Sequence, residues 1–272
     1  MKNLLLTALA FAFILLCSPS IKAQDFMDRF YQPSKDWQEV EGLDHDLHLQ
    51  RVGRDTISYM EVRPEGRAKG TVIYFHGAGG NISTYAPLTE PLVKDDYRVF
   101  LVDFRGYGHS TGKPNHRNVA DDAQLIYDKI TRRREIRRKD ILIYGASLGS
   151  QVASKIALDN AKQVDALILD GPMTSFTDIA LAYTEEKDHG YVKMFVQSPY
   201  SAKECIPQLT DMPLLLIHSE EDEGVPFAMG KELFASKKGV KDMWIYEGAH
   251  LQAPVLFPEE LVSRIDGMLN EL

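Results

Sequence analysis

Short apolar runs rich in β-branched residues recur along this chain, at 71–76, 99–103, 141–144, 166–170, 214–218 and 243–246. Such runs, without polar alternation, suit strands covered on both faces. Helix-length stretches lie among them, at about 83–94, 118–134, 148–160, 226–237 and 256–271. Strand and helix in alternation predict an α/β fold, with a mostly parallel sheet and helices on both faces. Upstream, 46–52 and 56–62 alternate apolar and polar residues around Gly53-Arg-Asp55, which predicts an antiparallel hairpin. The hairpin brings the expected sheet to eight strands. No internal repeat or low-complexity linker interrupts 24–272, and a chain of 272 residues fits one large α/β domain.

The N-terminus has a different character. Lys2 precedes an uncharged apolar run from Leu4 to Leu16, and a small residue, Ala23, closes the segment. That is the layout of a secretory signal peptide spanning 1–23. The run is too short for a membrane-spanning helix, which needs about 20 apolar residues. Lipid anchoring through Cys17 is the less favoured reading, because bulky Leu16 stands where lipoprotein signals carry a small residue. The mature chain is therefore expected to be exported, periplasmic or extracellular, without stable membrane insertion. Loss of Lys2 and Lys22 takes the formal charge from −8 to −10, which disfavours nucleic acid as a partner. Cys205 would then be the only cysteine left, so no intrachain disulfide is expected. The basic stretch 131–140 reads as a solvated helix C-terminus, where cations complement the helix dipole. Oligomeric state leaves no mark on the sequence.

One strand run ends in Gly145-Ala-Ser147-Leu-Gly149 and passes directly into a helical stretch. A strand-to-helix turn that sharp leaves little room for side chains two residues either side of its apex, and glycine meets that demand. The serine hydroxyl is then held at the carboxyl end of the sheet, with a helix N-terminus beneath it, as in a nucleophile elbow. A serine hydroxyl needs a base to take its proton. His189, His218 and His250 follow Ser147. His189 falls in a long connection and His218 ends a strand run, while His250 lies between the last strand and the last helix. His250 is the expected base. The acid that orients it is expected in the loop after 214–218, where Asp222 is preferred to Glu221 and Glu223 for its short side chain. A tetrahedral intermediate also needs backbone N–H donors placed in advance. Leu148 should supply one, and Ala78, in the small-residue loop His76-Gly-Ala-Gly-Gly-Asn81, the other. Asn81-Ile-Ser83 in that loop also fits a glycosylation acceptor pattern.

Together, Tyr74-Phe-His-Gly-Ala-Gly-Gly-Asn81, Asp103-Phe-Arg-Gly-Tyr-Gly-His-Ser110, Gly145-Ala-Ser-Leu-Gly149, His218-Ser-Glu-Glu-Asp222 and Gly248-Ala-His250 resemble the α/β-hydrolase superfamily over about 45–270. The likeness is greatest to its short-capped serine hydrolases, the lysophospholipase-like and serine aminopeptidase-like branch. That resemblance implies an α/β-hydrolase fold and a Ser147–His250–Asp222 triad, with Ala78 and Leu148 as the oxyanion hole. It implies cleavage of a small-molecule acyl substrate, an ester, thioester or amide, through an acyl-enzyme. The chain departs from the usual pattern at Ser150 and Ser219, where the family often has glycine. The stretch 174–200 reads as a small cap whose Phe176 and Phe195 are candidate substrate contacts, although such rings also serve to pack a cap onto a core. His109 and His116 lack metal-ligand spacing, so no metal and no cofactor is expected. A non-catalytic binder of the same fold and an acyltransferase are the competing readings.

Overall fold

The computed structural model describes residues 23–137 and 139–270. The expected leader, with Cys17, lies outside the described residues save for Ala23. Eight strands form the main sheet: β1 Asp44–Val52, β2 Asp55–Arg63, β3 Gly70–Phe75, β4 Tyr97–Val102, β5 Asp140–Ala146, β6 Ala166–Asp170, β7 Leu214–Ser219 and β8 Lys241–Tyr246. Their order is β8-β7-β6-β5-β3-β4-β2-β1. β2 runs antiparallel to β1 and β4, and the other neighbours are parallel. The sheet is that of an α/β hydrolase, and the hairpin at its edge is the one the alternating residues predict.

The helices are α1 Ala23–Phe30, α2 Ile82–Tyr85, α3 Glu90–Lys94, α4 His116–Thr131, α5 Gly149–Asp159, α6 Phe176–Ala182, α7 His189–Phe195, α8 Ala202–Cys205, α9 Phe227–Ser236, α10 Ala253–Leu256 and α11 Pro258–Leu269. Alternate residues of each central strand enter opposite layers of the core. Ile73, Phe75, Ile143 and Leu169 pack with Ile126 of α4 and Val152 and Ile156 of α5. Val72, Tyr74, Leu142 and Ile168 pack with Leu92 of α3 and Leu261 and Ile265 of α11. Both faces are covered, which explains why these strands read as unbroken apolar runs. Tyr74 and Tyr144 are register partners, and their rings stack at 4.7 Å.

Proline decides where helical stretches break. The stretch 83–94 divides into α2, a 3-10 turn at Ala86–Thr89 and α3, with Pro87 and Pro91 opening the second and third pieces. Pro258 likewise opens α11 and separates it from α10. Asn115 and Asn118 form a capping box that starts α4 at His116. The helix ends at Thr131, and the basic residues beyond it are partly paired: Arg133 reaches Glu61 at 2.8 Å.

The connection from β6 to β7 holds α6, α7 and α8. Phe176 is fully buried in it, stacked on His116 at 3.6 Å and edge-on to Tyr200 at 5.6 Å. This ring packs the cap onto the core and leaves no face open to a substrate. Phe195 is half-buried against the same core, while Tyr191 and Met194 of α7 are exposed. Among the described residues no helix is long and apolar enough to cross a membrane.

Candidate active site

Because β3, β5, β6, β7 and β8 are parallel, their carboxyl ends lie along one edge of the sheet, and the loops that follow them converge. Ser147 stands between β5 and α5 with φ at +52°, a left-handed conformation that non-glycine residues adopt at a cost of about 1–3 kcal/mol. Its neighbours make that bend possible. A methyl on Gly149 would enter the backbone of Phe75 and His76, and one on Gly145 would lie 2.5 Å from the Ala153 side chain. The need at both glycines is close approach, not an unusual φ. The Ser147 N–H donates to the Asp170 carbonyl at 2.8 Å, which ties the elbow to the end of β6.

The next residue, Gly171, brings the imidazole of His250 to the same place. A methyl on Gly171 would lie 2.5 Å from His250 Cε1, and one on Gly224 would lie 3.1 Å from His250 Cδ2, so these glycines flank the ring. His250 Nδ1 donates to Asp222 Oδ2 at 2.6 Å. His250 Nε2 is buried and has no hydrogen-bond partner among the described residues. Asp222 Oδ1 accepts the N–H groups of Gly224 and Val225, each at 2.8 Å. His218 Nε2 lies 3.3 Å from Asp222 Oδ2. Burial alone would raise the Asp222 pKa, but the contacts from His218 and His250 outweigh it and hold the carboxyl well below its usual range. Glu221 and Glu223 are exposed, so of the acids considered it is Asp222 that meets the imidazole.

Across from the elbow, a methyl on Gly77 would lie 3.4 Å from Ser147 Cβ. Ala78 follows in that loop. Among the described residues, no protein acceptor takes the N–H of Ala78 or of Leu148. The Gly77–Ala78 peptide is held from behind. His76 Nδ1 donates to the Gly77 carbonyl at 2.7 Å, and Nε2 accepts the Phe104 N–H at 3.3 Å. Burial lowers the His76 pKa to about 4, so the ring is neutral at pH 7 and those bonds assign its tautomer. Asn81 is fully buried, with its amide on the carbonyls of Ser34 and Asp36, so the glycosylation reading does not hold.

Several supporting groups carry no local sequence signal. Ser219, one of the two departures from the family pattern, donates to the Gly248 carbonyl at 2.5 Å and so ties the Asp222 loop to the His250 loop. Tyr246 bonds the Ala249 carbonyl at 2.7 Å. Asp170 is a buried carboxylate at the end of β6, raised to about 6 by burial. His109 packs on Trp37 and His116 on Phe176. Among the described residues no group of three or more His, Cys, Asp and Glu is arranged to hold a metal ion.

A cleft of about 410 Å³ lies elsewhere, lined in part by Asp28, Tyr31, Pro33, Lys35 and Lys113. Lys35 is engaged by the carbonyls of Gly108 and Ser110, and Lys113 by Asp28. None of the candidate catalytic residues lines that cleft. Chemistry, not cavity size, therefore selects the edge around Ser147.

A model of the family described as serine aminopeptidase, S33, matches residues 66–187. The chain is 29% identical over 214 residues to the uncharacterized protein YfhR of Escherichia coli K12, an alignment covering 76% of this chain and 74% of that protein. It is 26% identical to protein bem46 of Schizosaccharomyces pombe, covering 83% of this chain and 77% of that one. Among solved structures, the esterase Pf2001 of Pyrococcus furiosus matches with a TM-score of 0.69 at 20% identity, over 88% of this chain and 98% of that chain. This last likeness is one of fold.

Proposed function

We propose that this chain, which has the fold of an α/β hydrolase and matches the serine aminopeptidase family model over residues 66–187, is a serine hydrolase whose nucleophile is Ser147. His250 Nε2 takes the hydroxyl proton as Ser147 Oγ attacks an acyl carbonyl. Asp222 fixes the imidazole through Nδ1 and balances the charge that forms on it. The N–H groups of Ala78 and Leu148 receive the oxyanion, each donor being worth about 3 kcal/mol in the transition state. Collapse returns the proton to the leaving group and leaves an acyl-enzyme on Ser147. Water, deprotonated by His250, then releases the acid. The observation that carries this reading is the 2.6 Å bond from His250 to Asp222, with the far nitrogen of the ring buried and unpartnered among the described residues, on a ring flanked by Gly171, the residue after the Asp170 whose carbonyl holds the N–H of Ser147. Carboxylic esters are the proposed substrate class, in keeping with an esterase of the same fold.

A fluorophosphonate probe tests the assignment. Wild-type protein should label at Ser147 and turn over p-nitrophenyl esters. Ser147→Ala should neither label nor turn over, with a loss of 10⁴-fold or more. Labelling that survives Ser147→Ala would sink the proposal. Thioester and aminoacyl-amide substrates tested beside the esters separate the acyl classes, and added alcohols separate hydrolysis from acyl transfer.

A further inference from the structure

The Ala78 loop contains Gly77, Gly79 and Gly80, a composition with too much backbone freedom to hold a hydrogen-bond donor still by itself. A segment far upstream supplies order. Gln32–Pro33 pairs in parallel with Gly79–Gly80. The Gln32 N–H donates to the Ala78 carbonyl at 2.9 Å, and the Ser34 N–H to the Gly80 carbonyl at 3.1 Å. Tyr107 donates its hydroxyl to the same Ala78 carbonyl at 2.5 Å. Beyond them, the Gln38 N–H bonds the Ser83 hydroxyl at 2.8 Å. The upstream end is fastened as well. Tyr31 bonds His116 Nδ1 at 2.9 Å, and Phe30 meets Phe176 edge-on at 5.5 Å. This strap is outside residues 66–187, the part that matches the family model.

We propose that residues 30–34 are a positioning element that fixes the Ala78 loop so that its N–H faces the oxyanion. The inference rests on the reading of Ala78 as an oxyanion donor. Backbone bonds at Ala78 and Gly80 pin the loop on one side, and His76 pins the Gly77 carbonyl on the other. The donor is thereby aimed before substrate arrives, the condition under which such donors act most strongly. The side chain of Gln32 is exposed, so the strap acts at this position through its backbone N–H.

Gln32→Pro removes that N–H, and Gln32→Ala keeps it. With a p-nitrophenyl ester, Gln32→Pro should lower kcat by about 10- to 100-fold with KM little changed, less than the 10²–10³ seen when a donor is deleted outright. The Ki of a trifluoromethyl ketone, whose hemiketal carries the oxyanion, should weaken by the same factor, while Gln32→Ala should match wild type. An amide-to-ester replacement at residue 32 removes the same N–H without ring constraint, and it decides the matter if the proline variant does not fold. The proposal is overturned if the ester variant keeps wild-type kcat and Ki, if only its thermal stability falls, or if Gln32→Ala loses as much activity. Ser147→Ala keeps the two readings apart. Activity that persists in it removes the triad, whereas activity lost in it but unchanged without the residue-32 N–H removes only the strap.

Discussion

Asp170 shows how much a single buried oxygen can do. Its Oδ2 accepts the Tyr144 hydroxyl at 2.8 Å, and its Oδ1 has no partner among the described residues. Burial raises its pKa to about 6; Tyr144, His250 and His218 pull it back, and Asp222 pushes it up. A raised value means that the folded chain binds the proton more tightly than the unfolded one. The stabilisation is complete below the ordinary value of 3.8 and is lost as pH climbs through 6. Asp170→Asn is neutral at every pH. Its stability relative to wild type should therefore grow between about pH 4 and 6 and then level off, by roughly 2–3 kcal/mol. Urea unfolding of both proteins from pH 4 to 8 measures this, and a difference that does not vary with pH would refute it. Ser147, Asp222 and His250 stand out in the sequence because the chemistry restricts their types, their order and their place after strands. Asp170 and His218 do not, because a lone polar residue at a strand end reads alike whether or not distant rings bury it.

Between elements, glycine marks where backbones touch. Gly149 opens α5 directly against the Phe75 carbonyl of β3, and Gly267 lies in α11 with open space around it. Gly149→Ala must push helix from strand and should destabilise by more than about 3 kcal/mol, taking the elbow out of line. Gly267→Ala should stabilise by about 0.5–1 kcal/mol through helix propensity and a less flexible unfolded chain. Urea midpoints distinguish the two, and equal effects would contradict the packing described. The central strands were legible because both of their faces are apolar, and the hairpin from the alternation around Gly53, although β2 is buried from Ile57 to Val62 and feeds both core layers. Helix boundaries were blurred where prolines subdivide a stretch that reads as continuous. The strap left no trace at all: its paired part is two residues, Gln32 and Pro33, too short for periodicity, and their partners lie beyond the hairpin and β3.

At the scale of the molecule, one sheet with a core layer on each face argues for a single cooperative unit, the organisation expected for 24–272. The two tryptophans can test it. Trp37 packs on His109 at 4.5 Å, just beyond the strap, while Trp244 is buried in β8 under Arg264. In Trp37→Phe and in Trp244→Phe, the remaining tryptophan's fluorescence should change together with helical circular dichroism along a urea gradient. A fluorescence transition that separates from the dichroism in either variant would split the molecule into independent units. The spread of Ser147, Asp222 and His250 over three loops also has a temporal side. Synthesis delivers the serine about a hundred residues before the imidazole. On the proposed chemistry, a chain grown only past Ser147 carries a nucleophile with no base to wake it, and hydrolysis must wait until the segment with His250 has been made.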